Sequence, residues 1–94
     1  MTDLEIDKAL ALAIGYKLFD VKFHHDMWAV LVYKGSWRVF SHCDWNVIGP
    51  IAARYDCFPS NSYPKGWRSF APCCCVYADT PQKAIALAVI GAKT

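Results

Sequence analysis

The chain has 94 residues, 55% of them hydrophobic, and a formal net charge of +2. That length fits one domain. The near-neutral balance excludes a bulk electrostatic drive towards nucleic acid or membrane surfaces. The mean hydropathy of +0.17 is high for a small protein with so much surface and points to an extra buried face, against a subunit or a partner.

Residues 2–14 read as a helix. Thr2-Asp3-Leu4-Glu5 has the pattern of a capping box, in which Thr2 accepts the Glu5 amide and Glu5 reaches back. Ile6, Leu10 and Ala13 or Ile14 then recur at helical spacing, and Gly15 supplies a left-handed stop. Phe19, Val21 and Phe23 alternate with Asp20, Lys22 and His24, the pattern of a strand with one wet face. His25-Asp26 suits a tight turn. Residues 27–33 are apolar at both alternating sets of positions, which predicts a central strand covered on each side. Lys34-Gly35 turns the chain into a further strand over 36–41.

A second helix is expected over 44–55, capped by Asp44 or Ser41. Gly49-Pro50 predicts an irregular first turn and a firmer helix only from Pro50 onwards. Residues 57–65 hold Pro59, Ser60, Asn61, Ser62 and Pro64 and read as a loop, the most mobile segment of the chain. Strands are expected over 66–70 and 73–77, the last apolar on both faces. Thr80 then caps a third helix with Pro81 at its first position, where a missing N–H costs nothing. From Ala84 to Ile90 this helix is apolar all round, so it is either enclosed or at an interface. Its alanines match those of the first helix (Ala9, Ala11, Ala13), which fits close side-by-side packing, with a homodimer seam as the other expectation. The fold class is α+β: an antiparallel sheet of about five strands sandwiched by helices, in the order α-β-β-β-α-β-β-α.

Four segments resemble small tailed-phage proteins of the ABA-sandwich and NinX-like groups. These are Ile6 to Lys17, ending in Ala13-Ile14-Gly15-Tyr16-Lys17; Ser41-His42-Cys43-Asp44-Trp45; Trp45 to Arg54, with Gly49-Pro50-Ile51; and Ala78 to Ala92. Together they cover roughly half of the chain. The triple cysteine Cys73-Cys74-Cys75 and the pair His24-His25 depart from the family pattern. The resemblance implies a single ABA-sandwich-like domain over 1–94 and a bacteriophage or prophage accessory protein at work in the host cytoplasm. It carries no catalytic residue and no cofactor.

The acidic start, with Asp3, Glu5 and Asp7, is unlike a signal peptide. The apolar run 84–92 falls short of the roughly 20 residues that span a bilayer. A cytoplasmic protein keeps its five cysteines reduced.

Three constellations bear on chemistry. His24, His25, His42, Cys43, Cys57, Cys73, Cys74 and Cys75 are zinc-ligand types, but no Cys-x-x-Cys or His-x-x-x-His occurs, so small apolar core cysteines are the leading expectation and no metal is assigned. Cys43 or Cys57 paired with His42 or His24 would make a thiol nucleophile, without any recognisable signature for one. Trp45, Tyr63, Lys65, Trp67 and Arg68, with Trp37 and Arg38, interleave aromatics and cations. Such a set suits a protein-binding hot spot, stacking on nucleic-acid bases, or simply a core in which Trp37 and Trp67 are interior and Arg38 and Lys65 solvated. Because Trp67 and Arg68 are adjacent on a strand, one faces in and the other out.

The expected function is that of a non-enzymatic accessory protein which binds a host or phage protein and modulates host defence. Trp45, Tyr63, Lys65, Trp67 and Arg68 form the expected contact. A small nucleic-acid-binding module is the alternative, and a metal- or thiol-dependent enzyme the third reading.

Overall fold

The computed structural model describes residues 2–32, 35–61, 66–71 and 74–93. Helix α1 (Asp3–Ala13) begins with the capping box: the Glu5 amide donates to Thr2 Oγ1 and the Thr2 amide to Glu5 Oε1, both at 3.2 Å. The Thr2 amide and hydroxyl hold the Glu5 carboxyl below its ordinary pKa. Gly15 ends the helix at φ 114°. The start of the expected first strand is instead a 3-10 turn, Leu18–Asp20, closed by the Asp20 amide on the Lys17 carbonyl at 2.9 Å. Phe19 therefore leaves the strand's alternation and stands 77% exposed.

Strands β1 (Val21–His24), β2 (Met27–Leu31) and β3 (Trp37–Val39) form an antiparallel sheet in that order. His25 and Asp26 join the first two at φ 50° and 63°. Two consecutive left-handed residues are what a type I′ hairpin turn requires, and its twist matches that of the strands. Neither residue is glycine, so the turn carries steric strain.

Helix α2 (Trp45–Tyr55) is capped by Asp44, whose carboxylate accepts the Asn46 amide at 2.9 Å. It runs unbroken through Pro50, contrary to the expected irregular first turn. Two things hold that turn: the Asp44 cap, and the burial of Val47, Ile48, Ile51 and Ala52 along one side. Pro50 and Asn46 are on the exposed side, so the only loss is the amide that would have paired with the Asn46 carbonyl.

The segment expected to be a loop contributes a strand, β4 (Pro59–Asn61), that pairs with β5 (Trp67–Ala71). Pro59 starts the strand and sits at the sheet's edge, where its missing N–H is tolerated. Residues 62–65 and the join at Pro72-Cys73 lie outside the described residues. β5 pairs with β6 (Cys74–Ala78), giving a second antiparallel sheet in the order β4-β5-β6. Gly66, at φ 92°, is required here: a Cβ on it would stand 2.5 Å from the Ala78 carbonyl oxygen.

Helix α3 (Pro81–Lys93) starts as the sequence predicts, with the Lys83 amide on Thr80 Oγ1 at 3.2 Å. It packs on α1, α2 and all three strands of the second sheet. That enclosure accounts for its apolar circumference: Ala84, Ile85, Ala86, Ala88 and Val89 are all fully buried. The protein is thus a mixed α+β fold of two three-stranded antiparallel sheets packed against three helices, not one sheet of five strands.

The strained hairpin turn generates a test. Asp26→Gly is expected to raise stability by about 1 kcal/mol, because glycine adopts the left-handed region without a Cβ penalty. The urea unfolding midpoint reports it.

Candidate functional site

Cross-strand partners share a sheet face. In the first sheet, Val21, Val30 and Arg38 form one row and Phe23 and Trp28 the next. This is the helix-facing side: Val21 and Val30 are buried, and Trp28 is packed against the core. The other rows, Lys22–Ala29–Val39 and Leu31–Trp37, with Met27 beside His24, look away from it. There Val39 is 53% exposed, Trp37 40% and Met27 38%. The Lys22 ammonium lies 4.1 Å from the centre of the Trp37 ring. It reaches over the small Ala29 between them, which is why Ala29 is buried on an otherwise open face.

This apolar outer face corrects two expectations. β2 has apolar residues on both sides, but among the described residues only one side is covered. Trp37 is not interior. The doubly apolar pattern is genuine and its second face is left to solvent. The same holds for β6, where Val76 is partly buried against the core while Cys75 and Tyr77 are exposed.

The contact residues expected from sequence are dispersed. Trp45 is the first residue of α2 and half exposed. In β5 the row Asn61–Trp67–Ala78 shares its face with that of buried Ser69, while Arg68 lies with Ser60 and Tyr77 on the opposite face. Trp67 and Arg68 therefore point to opposite sides, as their adjacency dictates. Tyr63 and Lys65 lie outside the described residues.

The histidine and cysteine constellation resolves into one cluster that sequence spacing conceals. Asp7 and His42 are 35 positions apart, yet both are buried and in contact. One Asp7 oxygen accepts the His42 backbone amide at 2.7 Å and faces His42 Nδ1 at 2.6 Å. Donation from Nδ1 leaves Nε2 free to accept. Nε2 stands 3.7 Å from Cys43 Sγ and 3.6 Å from the Asp3 carboxylate. Lys83 reaches Asp3 at 3.5 Å and Asp79 at 3.4 Å, and these carboxylates, Asp79 foremost, push its pKa up. Gln82 Nε2 donates to the Cys43 carbonyl at 3.4 Å. Asp7, to which the sequence assigns no role of its own, thus anchors α1 to the entry of α2, and α3 closes over the same point.

An oriented Asp–His pair beside an exposed thiol has the connectivity of a catalytic triad. The electrostatics oppose that role. Burial first, then the Asp3 carboxylate, raise the Cys43 pKa, which keeps the thiol protonated at neutral pH. Burial likewise raises the pKa of the interior Cys57. Cys43 and Cys75 are exposed, against the expectation of core cysteines. Among the described residues no group of three or more His, Cys, Asp or Glu side chains is placed to hold a metal ion, and no helix is long and apolar enough to cross a membrane. No protein-family model matches the chain, and no curated protein matches it.

Two outcomes follow. Asp7→Ala orphans two buried donors and is expected to cost about 3 kcal/mol, whereas Asp7→Asn, which keeps an amide oxygen to accept them, costs less; urea midpoints compare them. Iodoacetamide labelling of Cys43, followed by peptide mass mapping, is expected to rise only at a pH above that of a simple thiol. Asp3→Asn removes a repelling charge and shifts that rise to lower pH.

Proposed function

We propose that this protein is a non-enzymatic accessory protein that acts by binding another protein, with the open face of the first sheet as the centre of contact. The observation that carries the reading is the set of exposed apolar side chains, Met27, Val39 and Trp37, on a face that no described element covers. Partly exposed Trp with a neighbouring cation is the composition of a binding hot spot. Trp45, Trp67 and Arg68 remain candidate contacts, as do Tyr63 and Lys65, which lie outside the described residues.

The resemblance to small tailed-phage proteins supplies the setting. The partner is then a host or phage protein in the host cytoplasm, and the effect is a change in host defence or takeover. The high Cys43 pKa supports a binding role over thiol chemistry. The charge of +2 gives little support to the nucleic-acid alternative.

The test is affinity capture from phage-infected host cells with the folded chain as bait. Wild type is expected to recover a defined partner, and Trp37→Ala to reduce recovery by at least about tenfold, as loss of a hot-spot aromatic does. A folded bait that recovers nothing, or a variant that recovers as much as wild type, sinks the reading.

A further inference from the structure

The edge of the first sheet deepens this reading and rests on it. β3 bonds to β2 through alternate residues. The Val32 amide donates to the Ser36 carbonyl at 2.7 Å and the Phe40 amide to the Trp28 carbonyl at 2.8 Å. Ser36, Arg38 and Phe40 therefore direct their backbone groups inward, and the N–H and C=O of Trp37 and Val39 point to the outer edge. Among the described residues no strand pairs there: β3 ends the order β1-β2-β3.

Beside this edge, between the sheet and α2, lies a cleft of about 160 Å³. Its apolar floor is Val30, Phe40, Val47 and Ile51, all buried, and its mouth holds the exposed Arg38, Asn46 and Pro50. An apolar cavity of about 150 Å³ takes a benzene-sized group, so this one holds a single large side chain. Two polar features stand at the mouth. Pro50 denies the Asn46 carbonyl its i+4 amide, leaving an acceptor at the rim. Arg38 is in none of the ion pairs found among the described residues.

We infer that β3 and the α2 cleft form a docking groove for an extended segment of the partner protein, which adds as a strand to β3, places one large apolar side chain in the cleft and sets a carboxylate against Arg38. Strand addition uses the open N–H and C=O groups of Trp37 and Val39 for affinity, and alternate side chains for specificity. The other set of side chains extends the outer apolar face beside Trp37 and Val39. Charge selects against a second copy of this chain as the occupant. Antiparallel pairing of β3 with itself about its middle residue sets Arg38 directly opposite Arg38, a like-charge pair at the closest cross-strand spacing.

The experiment is selection of a displayed library of random short peptides on the immobilised full chain, with one enriched peptide then synthesised. Enriched sequences are expected to alternate apolar residues and to carry Phe or Leu together with Asp or Glu. Val39→Pro, which removes an outward N–H from the edge, is expected to weaken the synthetic peptide at least about tenfold, and Arg38→Glu to reverse the preference from acidic to basic peptides. Because the proline substitution can unfold the sheet, amide exchange on the wild type gives a second readout: the peptide is expected to protect Trp37 and Val39. No enrichment, peptides indifferent to both variants, or protection only elsewhere overturns the inference. So does a wild-type dimer that Val39→Pro converts to monomer, since a second copy then occupies the edge. Affinity capture separates this from the broader reading: a partner retained by both variants leaves protein binding intact and removes the groove, whereas a folded wild type that captures none removes the reading itself.

Discussion

One buried contact ties the three helices together. A single Asp7 oxygen receives both the backbone amide and the ring nitrogen of His42, with both residues out of water. Burying a carboxyl group is costly unless it is hydrogen-bonded, and this one is, twice through one oxygen. The geometry is specific in a way that apolar packing is not: it sets where the chain enters α2 relative to the second turn of α1. α3 closes over the same place, with Gln82 on the Cys43 carbonyl and Lys83 on Asp3. Asp44, two residues beyond His42, then caps α2, so the anchor and the helix start are parts of one short segment.

With that frame fixed, the apolar material is divided unequally. α3 buries Ala84, Ile85, Ala86, Ala88 and Val89 against α1, α2 and the second sheet. The first sheet offers only one face to α1 and α2. Its other face has no counterpart among the described residues, although β2 is apolar on both sides. Ala29 is sheltered there only because Lys22 arches over it to Trp37. A protein of this size gains stability by burying such residues, so leaving Trp37, Val39 and Met27 in solvent is the feature most in need of a functional account.

The thiol chemistry shows how geometry and electrostatics can diverge. Asp7, His42 and Cys43 are connected as a nucleophilic triad would be. The neighbouring Asp3 and partial burial hold the thiol protonated, and Lys83 is already engaged by two carboxylates. The cluster joins α1 to the entry of α2, with an exposed cysteine at its rim.

Local physics was legible in the sequence. The Thr2 capping box, the Gly15 stop, the His25-Asp26 turn, the Asp44 cap and the Thr80-Pro81 helix start each depend on residues within a few positions of one another, and each is present. The same locality predicted that Trp67 and Arg68 face opposite ways. What sequence could not supply was anything that needs a distant partner. β4 exists because β5 pairs with it, although its own residues read as loop. Helix α2 runs through Pro50 because its buried side compensates one missing amide. Asp7 found His42 across 35 positions without any spacing signal. The pattern of β2 stated that both faces are apolar; whether a face is covered depends on which helices reach it, and that was decided only when α3 packed against the second sheet, so that no described helix reaches the first sheet's outer face.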